Sequence, residues 1–199
     1  MAEKITLKND TQSVTLEIKD ASVGPSVIDL KSLYNDTGYF TFDPSYSTTA
    51  SCKSKITYID GAKGILEYRG YPIEQLAEQS TYLEVAYLLF NGELPSSNIS
   101  LDEFRSQVKK NMTLPENMSG IFTGFRKDAH PMSMLTTAVA ALSGSYHDGI
   151  NVRDKEDQKE FFFNILGKMP ILAANVFNHN QEDSNVEYDE SLSYSENIL

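Results

Sequence analysis

The sequence predicts a mainly α-helical protein in which a β-rich N-terminal segment, residues 1–70, precedes a multi-helix bundle, residues 71–199. Two observations lead to this prediction. Before residue 70, short apolar runs alternate with polar residues, which is typical of half-buried strands. After Pro72, apolar residues recur every three or four positions, which is the spacing of an amphipathic helix.

Two β-hairpins are predicted in the first segment, over residues 4–8 with 13–18 and over Lys55–Asp60 with Gly64–Tyr68. The first pair surrounds Asn9-Asp10-Thr11, and the second surrounds Asp60-Gly61, a strong turn dipeptide. Residues 20–50 are rich in Ser, Thr, Asp and Gly. We therefore expect irregular structure between the hairpins.

The second segment starts with two predicted helices. Pro72 opens a short one, and residues 81–91 are apolar on nearly every face, which is typical of a core helix. Gly92 should end that helix. Ser100 and Glu103 form a capping box, so the sequence predicts the next helix from Ser100.

Prolines divide the remaining helical pattern. Pro115 is predicted to open a helix over 116–125, and Pro131 opens another that is rich in small residues. A further helix starts at Asp154 and ends at Lys168, and Pro170 opens the last one. Residues 181–190 are predicted to form an acidic loop. Residues 192–199 start a new helical pattern that stops without a capping residue, and we therefore expect a truncated chain.

Composition excludes several classes of protein. The formal net charge is −11, whereas a nucleic-acid-binding protein presents a basic face. No apolar run is long enough to predict a membrane span, and the N-terminus resembles no secretory signal. Cys52 is the single cysteine, so no disulfide is expected. We predict a cytoplasmic protein in which Cys52 is a reduced, buried or partly buried thiol.

Motifs for catalysis or cofactor binding are incomplete. The glycines at Gly61 and Gly64 lie between two predicted strands without a following Lys-Ser or Lys-Thr, so a hairpin is favoured over a phosphate loop. The histidines, His130, His147 and His179, have no metal-ligand spacing, and no metal site is predicted. His130 is expected at a helix start and His147 at a helix end.

Two arginines are candidate anion-binding residues. Arg69 lies at the end of the second hairpin, and Arg126 follows a predicted helix. Arg126 could bind a carboxylate of a ligand or partner, or it could pair with Asp128 within the chain. From the residues alone, both alternatives stay open, and no complete catalytic constellation is present.

Several segments together resemble citrate synthases of the Gram-negative bacterial form. They are the block at 41–95 from TFDPSY to NGELP, FRKDAHPMSML at 125–135, SYHD at 145–148, LGKMP at 166–170 and LSYSENIL at 192–199. The segments occur in order along the whole chain. In this comparison Arg69-Gly70-Tyr71-Pro72 is the junction between the hairpin and the helical large domain.

The resemblance implies an enzyme that condenses acetyl-CoA with oxaloacetate and water to give citrate and CoA, without a metal or other cofactor. An aspartate, two histidines and the arginines that bind oxaloacetate perform this reaction in the family. None of the three histidines of this chain matches those motifs, so no catalytic residue is assigned. The chain resembles the N-terminal half of the enzyme, and we expect it to be inactive alone.

The resemblance also implies a hexameric enzyme that NADH inhibits. Tyr146 and Lys168 match residues of that family's NADH site. Lys110-Asn111-Met112 stands where the family has a basic Arg-His-Thr stretch, and Asn164 replaces a further arginine. The loss of these fixed cations is expected to weaken binding of a pyrophosphate.

The segments 116–125 and 132–145 resemble helices that pair across the family's dimer, so self-association through them is predicted. Two alternatives stay open. The chain could be half of a 2-methylcitrate synthase, which uses propionyl-CoA. It could also be a stand-alone helical interaction or regulatory module that has the fold without the chemistry.

Overall fold

A computed structural model describes residues 3–118, 120–146, 150–179 and 186–198. The strands are β1 Lys4–Lys8, β2 Ser13–Lys19, β3 Val27–Ile28, β4 Thr57–Asp60, β5 Ile65–Tyr68 and β6 Tyr71–Pro72. The α-helices are α1 Leu33–Thr37, α2 Ile73–Gln79, α3 Tyr82–Asn91, α4 Asn98–Lys110, α5 Pro131–Leu142 and α6 Lys155–His179. The predicted fold class, mainly helical with small N-terminal hairpins, is confirmed.

The chain divides into two compact units. The first contains Met1–Ser80 and Leu88–Glu93, and the second contains Thr81–Tyr87 and Leu94–Leu199. The six strands found in the described residues belong to the first unit. Helices α4, α5 and α6 belong to the second, which contains the larger helical core.

The first predicted hairpin is confirmed. Strands β1 and β2 are antiparallel, with Lys4 opposite Glu17 and Lys8 opposite Ser13. The side chain of Asn9 orders the turn, because its Oδ1 accepts hydrogen bonds of 2.8 Å from the N–H of Thr11 and of Gln12. Burial on alternate residues of β2 leaves one face of the hairpin in a small core.

The second predicted hairpin is also confirmed, with a first strand that starts at Thr57 instead of Lys55. Asp60 pairs with Ile65, and the carboxylate of Asp60 accepts hydrogen bonds from the backbone N–H and Nζ of Lys63 at 3.1 and 2.9 Å. The stretch from Gly61 to Gly64 is therefore a turn between antiparallel strands, as predicted.

The prediction of irregular structure over 20–50 is wrong at two places, because β3 and the short helix α1 lie within it. Neither is long enough to show a period in the sequence. Leu33 starts α1 and is buried with Val14 and Leu16 of β2, so tertiary packing accounts for this element. Gly38 ends α1 in the left-handed region, with φ of 76°.

Helix α4 starts at Asn98, two residues before the predicted position. Its N-cap is Ser97, whose side-chain oxygen accepts a hydrogen bond of 3.3 Å from the N–H of Ser100. The buried face of α4 contains Leu101, Phe104 and Val108. These spacings of three and four confirm the predicted amphipathic pattern.

The predicted α-helix over 116–125 is wrong. This segment contains two short 3₁₀ turns, Glu116–Met118 and Phe122–Gly124. Thr123 explains part of the difference, since its hydroxyl donates a hydrogen bond of 2.7 Å to the C=O of Gly120. Such bonds between a side chain and nearby backbone compete with the hydrogen bonds of an α-helix. Gly120 and Gly124 also disfavour a helix, since a glycine in a helix interior costs about 1 kcal/mol relative to alanine.

Helix α6 is continuous from Lys155 to His179, with Pro170 in its interior. The predictions that a helix ends at Lys168 and that Pro170 opens a new one are therefore wrong. Asp154 does cap the start, because its Oδ1 accepts from the N–H of Glu156 and of Asp157 at 2.9 and 3.2 Å. The buried face of α6 packs with α5 in the main core, which contains Met118, Phe122, Met134, Ala138, Leu142, Leu172 and Val176.

The described part of the C-terminal region contains turns. The side-chain amide of Asn175 on α6 exchanges two hydrogen bonds with the backbone of Val186, at 2.9 and 3.0 Å. Residues 194–198 form turns where a new helix was expected, and Leu199 lies outside the described residues. Half of the predicted acidic loop, residues 181–185, also lies outside them. No helix in the described residues is long and apolar enough to cross a membrane.

Candidate functional site

Lys168 is a buried lysine in the second unit. It lies on α6 with 2% of its surface exposed, and its Nζ donates hydrogen bonds of 3.0 Å to the C=O of Asn111 and to Oδ1 of Asn164. Asn164 lies one turn earlier on α6, and Asn111 is the C-cap of α4. A buried ammonium requires such partners, since an unpaired buried charge is costly.

The ring of Tyr146 provides a further contact for this ammonium. Nζ of Lys168 lies 5.2 Å from the ring centroid, within the range of a cation–π interaction. Burial lowers the pKa of Lys168 and raises the pKa of the Tyr146 hydroxyl, because each charged form is poorly solvated there. The structure therefore brings together the two residues that the resemblance assigns to an NADH site.

Asn111 and Asn164 stand where the family's NADH site has basic residues, and each contacts Lys168 in a different way. Asn111 bonds to Lys168 through its backbone carbonyl, while its side-chain Nδ2 donates to the C=O of Gln107 at 2.9 Å. Met112 is 3% exposed, and Lys110 is exposed at the end of α4. Asn164 accepts from Lys168, whereas an arginine at this position would add a second cation.

The three N–H donors of the Lys168 ammonium are largely used within the protein. Two bonds go to oxygens of Asn111 and Asn164, and the ring of Tyr146 lies beside the charge. The remaining N–H has little access to a phosphate oxygen from outside, because Lys168 is only 2% exposed. The arrangement is chemically suited to joining α6 to the end of α4 through a buried charge, and less suited to binding an external anion.

A cavity of about 270 Å³ adjoins this cluster. Its walls come from the loop before α6 and from one face of the first turns of α6. The lining residues are Ser145, Tyr146, Ile150, Asp157, Glu160, Phe161 and Asn164. Asp157 to Asn164 follow the i, i+3, i+4, i+7 spacing of one helix face.

Sequence reasoning did not select Asp157, Glu160 or Phe161 as site residues. Their spacing could have placed them on one face of the predicted helix. The cavity itself could not be found in this way, because Tyr146 and Ile150 reach it from a loop that has no periodic pattern. His147 lies outside the described residues, so its predicted place at a helix end is untested.

The two described histidines have structural contacts. His130 is the N-cap of α5, as predicted, and its Nδ1 accepts a hydrogen bond of 3.2 Å from the N–H of Met132. His179, at the end of α6, places Nε2 3.2 Å from the C=O of Arg126. Neither contact resembles a nucleophile and base pair.

The structure decides between the alternatives for Arg126. Its Nε and Nη2 donate hydrogen bonds of 2.9 and 2.8 Å to the two carboxylate oxygens of Asp128, so the intramolecular pair is confirmed. Arg69 is likewise bonded within the chain, in its case to a backbone carbonyl of its own unit. Its Nη2 donates to the C=O of Leu89 near the end of α3 at 2.7 Å, while its buried Nε has no partner among the described residues.

The expected burial of Cys52 is wrong, because this thiol is exposed. It lies in a stretch without regular structure between polar neighbours, so no apolar layer covers it. Among the described residues, no group of three or more His, Cys, Asp or Glu side chains is arranged to hold a metal ion.

Comparison with known proteins identifies the family. The family model described as "Citrate synthase, C-terminal domain" matches residues 45–199. A citrate synthase from Thermotoga maritima superposes with a TM-score of 0.66 at 28% sequence identity, over 79% of this chain and 40% of that chain.

A second similar structure is the citrate synthase of the thermophilic archaeon Thermoplasma acidophilum, in a ternary complex with carboxymethyl coenzyme A and oxaloacetate. Its TM-score is 0.69 at 26% identity, over 76% of this chain and 39% of that chain. The chain thus spans about two fifths of the length of these solved relatives. Since the family model matches most of the sequence, the chain belongs to the citrate synthase family.

Proposed function

We propose that the chain forms part of the large domain of an enzyme that condenses acetyl-CoA with oxaloacetate and water to give citrate and CoA. The family match over residues 45–199 is the observation that carries this proposal. The substrates are supported by the similar structure from Thermoplasma acidophilum, which is described as a complex with oxaloacetate and a coenzyme A derivative.

The proposal places the catalytic aspartate, histidines and oxaloacetate-binding arginines in polypeptide beyond residues 1–199, so that this chain is the N-terminal half. The contacts of the candidate residues are consistent with this view. The described histidines contact backbone at the ends of helices, and Arg126 pairs with Asp128. General acid–base catalysis requires a group within hydrogen-bond reach of the reacting proton, and the proposal gives this role to neither His130 nor His179.

The test is release of free CoA thiol from acetyl-CoA in the presence of oxaloacetate. The 199-residue chain should show no release, whereas the product of the complete reading frame should be active. Propionyl-CoA in a parallel assay separates citrate synthase from 2-methylcitrate synthase. Activity of the chain that survives repurification would contradict the placement of the catalytic groups, and an inactive complete product would contradict the enzyme proposal.

We also propose self-association through α5 and the preceding segment 116–125. One face of α5 buries Met134, Ala138 and Leu142, while its Met132 is 59% exposed. Ala140 lies on the exposed side of the same helix and is small enough for close packing. Light scattering should show a species larger than a monomer, and Ala140→Arg should reduce its mass. A monodisperse monomer of the unmodified chain would contradict the proposal.

The Gram-negative-type assembly, the cytoplasmic location and the NADH site at Tyr146 and Lys168 remain predictions. For NADH we expect weak binding. Lys168 already bonds to Asn111 and Asn164, and the adjacent cavity is lined by two carboxylates that repel a pyrophosphate.

A further inference from the structure

The segment 37–52, which follows α1 in the first unit, exposes several aromatic side chains. Together with Tyr34 of α1, the exposed rings are Tyr34, Tyr39, Phe40, Phe42 and Tyr46, with exposed fractions from 51% for Tyr34 to 91% for Phe42. Since an aromatic side chain can bury about 150–250 Å², these five present roughly 500–800 Å² of mainly apolar surface. Each partner contributes about 800 Å² to an interface of standard size, so this surface is large enough to form most of one.

Hydrogen bonds to Asp43 hold this aromatic segment in a defined conformation. Oδ1 of Asp43 accepts from the N–H of Ser47 at 3.1 Å, and Oδ2 accepts from the N–H of Thr48 and the hydroxyl of Thr49 at 3.0 and 2.8 Å. The N–H of Tyr46 donates to the C=O of Asp43 at 3.3 Å. Aromatic side chains on a pre-ordered loop lose less conformational entropy on binding than those on a flexible one.

Phe42 contributes little to the folded chain itself. It is 91% exposed and has no ring contact with a described residue, whereas Phe40 stacks on Tyr34 with centroids 4.3 Å apart. Full burial of a phenylalanine side chain is worth about 1.5–3 kcal/mol, and Phe42 gains almost none of this within the chain. Its apolar area is therefore available to an interface.

The charge of the aromatic segment differs from that of the whole chain. The chain has a formal net charge of −11, but residues 37–52 contain a single charged residue, Asp43. The carboxylate of Asp43 is bonded within the segment itself. Two copies of an acidic protein repel each other, and the repulsion is smallest where their neutral surfaces meet.

The residues that flank the aromatic segment have opposite charges. Asp36 precedes it, and Lys53 and Lys55 follow it. All three are exposed, and none of their side chains forms an ion pair with a described residue. If two copies of the segment run in opposite directions about a twofold axis, Asp36 of each copy lies towards Lys53 of the other. The flanking charges are thus complementary to those of a second copy.

From these observations we propose that the aromatic segment is a docking surface for a second copy of this chain, related by a twofold axis. Phe42 is the central apolar contact, and Asp36 pairs with Lys53 at each edge. Tyr39, Phe40 and Phe42 precede residue 45, where the family match begins. The surface is also separate from α5, which belongs to the second unit, and it does not depend on the proposed condensation reaction.

The chain contains no tryptophan, so Phe42→Trp introduces a single indole as a probe of burial. Its emission should shift to shorter wavelength as the concentration rises, in step with a species of twice the monomer mass. Ile99→Trp is the control, because Ile99 is 72% exposed on α4 in the second unit. A shift in a species of monomer mass would assign the surface to contacts within one chain. That result, no shift, or equal shifts in both variants would overturn the proposal.

Phe42→Asp tests the apolar contact through affinity. Sedimentation equilibrium in the Ala140→Arg background removes the contribution of α5. In this background the chain should still form dimers, and Phe42→Asp should weaken them at least about tenfold. Ile99→Asp adds the same charge in the first turn of α4, where it is tolerated, and should change the affinity less than about twofold. Equal effects of the two variants, or a monomer up to about 100 μM with Phe42 intact, would contradict the proposal.

A charge exchange tests the twofold arrangement. Asp36→Lys and Lys53→Glu each place like charges at both edges of the interface, so each should weaken the dimer at least about threefold. Both changes in one chain restore opposite charges, and the affinity should return to within about twofold of the starting protein. Failure of the double variant to recover would show that Asp36 and Lys53 do not face each other, and the proposed arrangement would be wrong.

Discussion

The hydroxyl of Tyr194 donates a hydrogen bond of 2.9 Å to the C=O of Leu166, the carbonyl that Pro170 leaves without a helical donor. In an α-helix this carbonyl would accept from the N–H of residue 170, which proline lacks. Tyr194 also stacks on Tyr82, with ring centroids 5.0 Å apart. A tyrosine 24 residues beyond the proline therefore compensates for the missing bond inside α6.

Tyr194→Phe should destabilise the second unit by about 1 kcal/mol, because the C=O of Leu166 loses its partner while the ring contacts remain. Chemical denaturation at neutral pH measures this change. Tyr188→Phe is the control, since the hydroxyl of Tyr188 has no hydrogen bond to a described residue. Similar losses in both variants would contradict the role of Tyr194.

The stability difference between the wild type and Tyr194→Phe should also depend on pH. Burial, with a smaller effect of Tyr82, raises the pKa of Tyr194 above that of a free tyrosine. Above about pH 10 the unfolded state then loses the tyrosine proton before the folded state does. The unfolded state binds fewer protons, so this contribution to stability falls as the pH rises.

The advantage of the wild type over Tyr194→Phe should therefore be fully present at about pH 9 and shrink as the pH rises from about 10 to about 11.5. Urea denaturation of both proteins across this range measures the difference. A constant or growing advantage at alkaline pH would show that the hydroxyl is not buried as described.

Local sequence signals predicted the elements that depend on local contacts. Asp154 and Pro131 start helices as expected, because capping and a proline at the first position act within one turn. Asp60 and Gly61 likewise predicted the second hairpin. These contacts join residues close in sequence, so no knowledge of the tertiary fold was needed.

Long-range contacts account for the errors. Pro170 normally predicts a helix boundary, and its tolerance inside α6 depends on Tyr194, which is distant in sequence. The resemblance named Tyr146 and Lys168 as residues of an NADH site, which stays a prediction. The resemblance did not reveal that Lys168 is bonded to Asn111 and Asn164, since this requires α4 and α6 to be in contact.

Lys168→Met should destabilise the chain by roughly 1–3 kcal/mol. The substitution leaves the C=O of Asn111 and Oδ1 of Asn164 without their shared donor, although it also removes the cost of burying a charge. Denaturation at pH 7 provides the measurement. Lys159→Met, an exposed change on the same helix, should have an effect within about 0.5 kcal/mol. A neutral result for Lys168→Met would contradict the structural role of this ammonium.

Gly167 permits the close approach of α6 to the end of α4. A methyl group on Gly167 would lie 2.8 Å from the backbone carbon and Cβ of Asn111 and from the C=O of Val108. Two of these three contacts are with backbone atoms, which cannot rotate away. Alanine is favoured over glycine by about 1 kcal/mol in a helix interior, but overpacking costs about 1–3 kcal/mol and requires the helices to separate.

Gly167→Ala should therefore destabilise the chain and lengthen the bond from Lys168 to Asn111. Gly124→Ala is the control, because nothing lies within 4 Å of the added methyl group there. Denaturation should show a loss for Gly167→Ala that Gly124→Ala lacks, and the Lys168 ammonium signal in NMR spectra should shift in the first variant. A stabilised Gly167→Ala protein would mean that helix propensity outweighs the contact, and that α4 and α6 can separate at little cost.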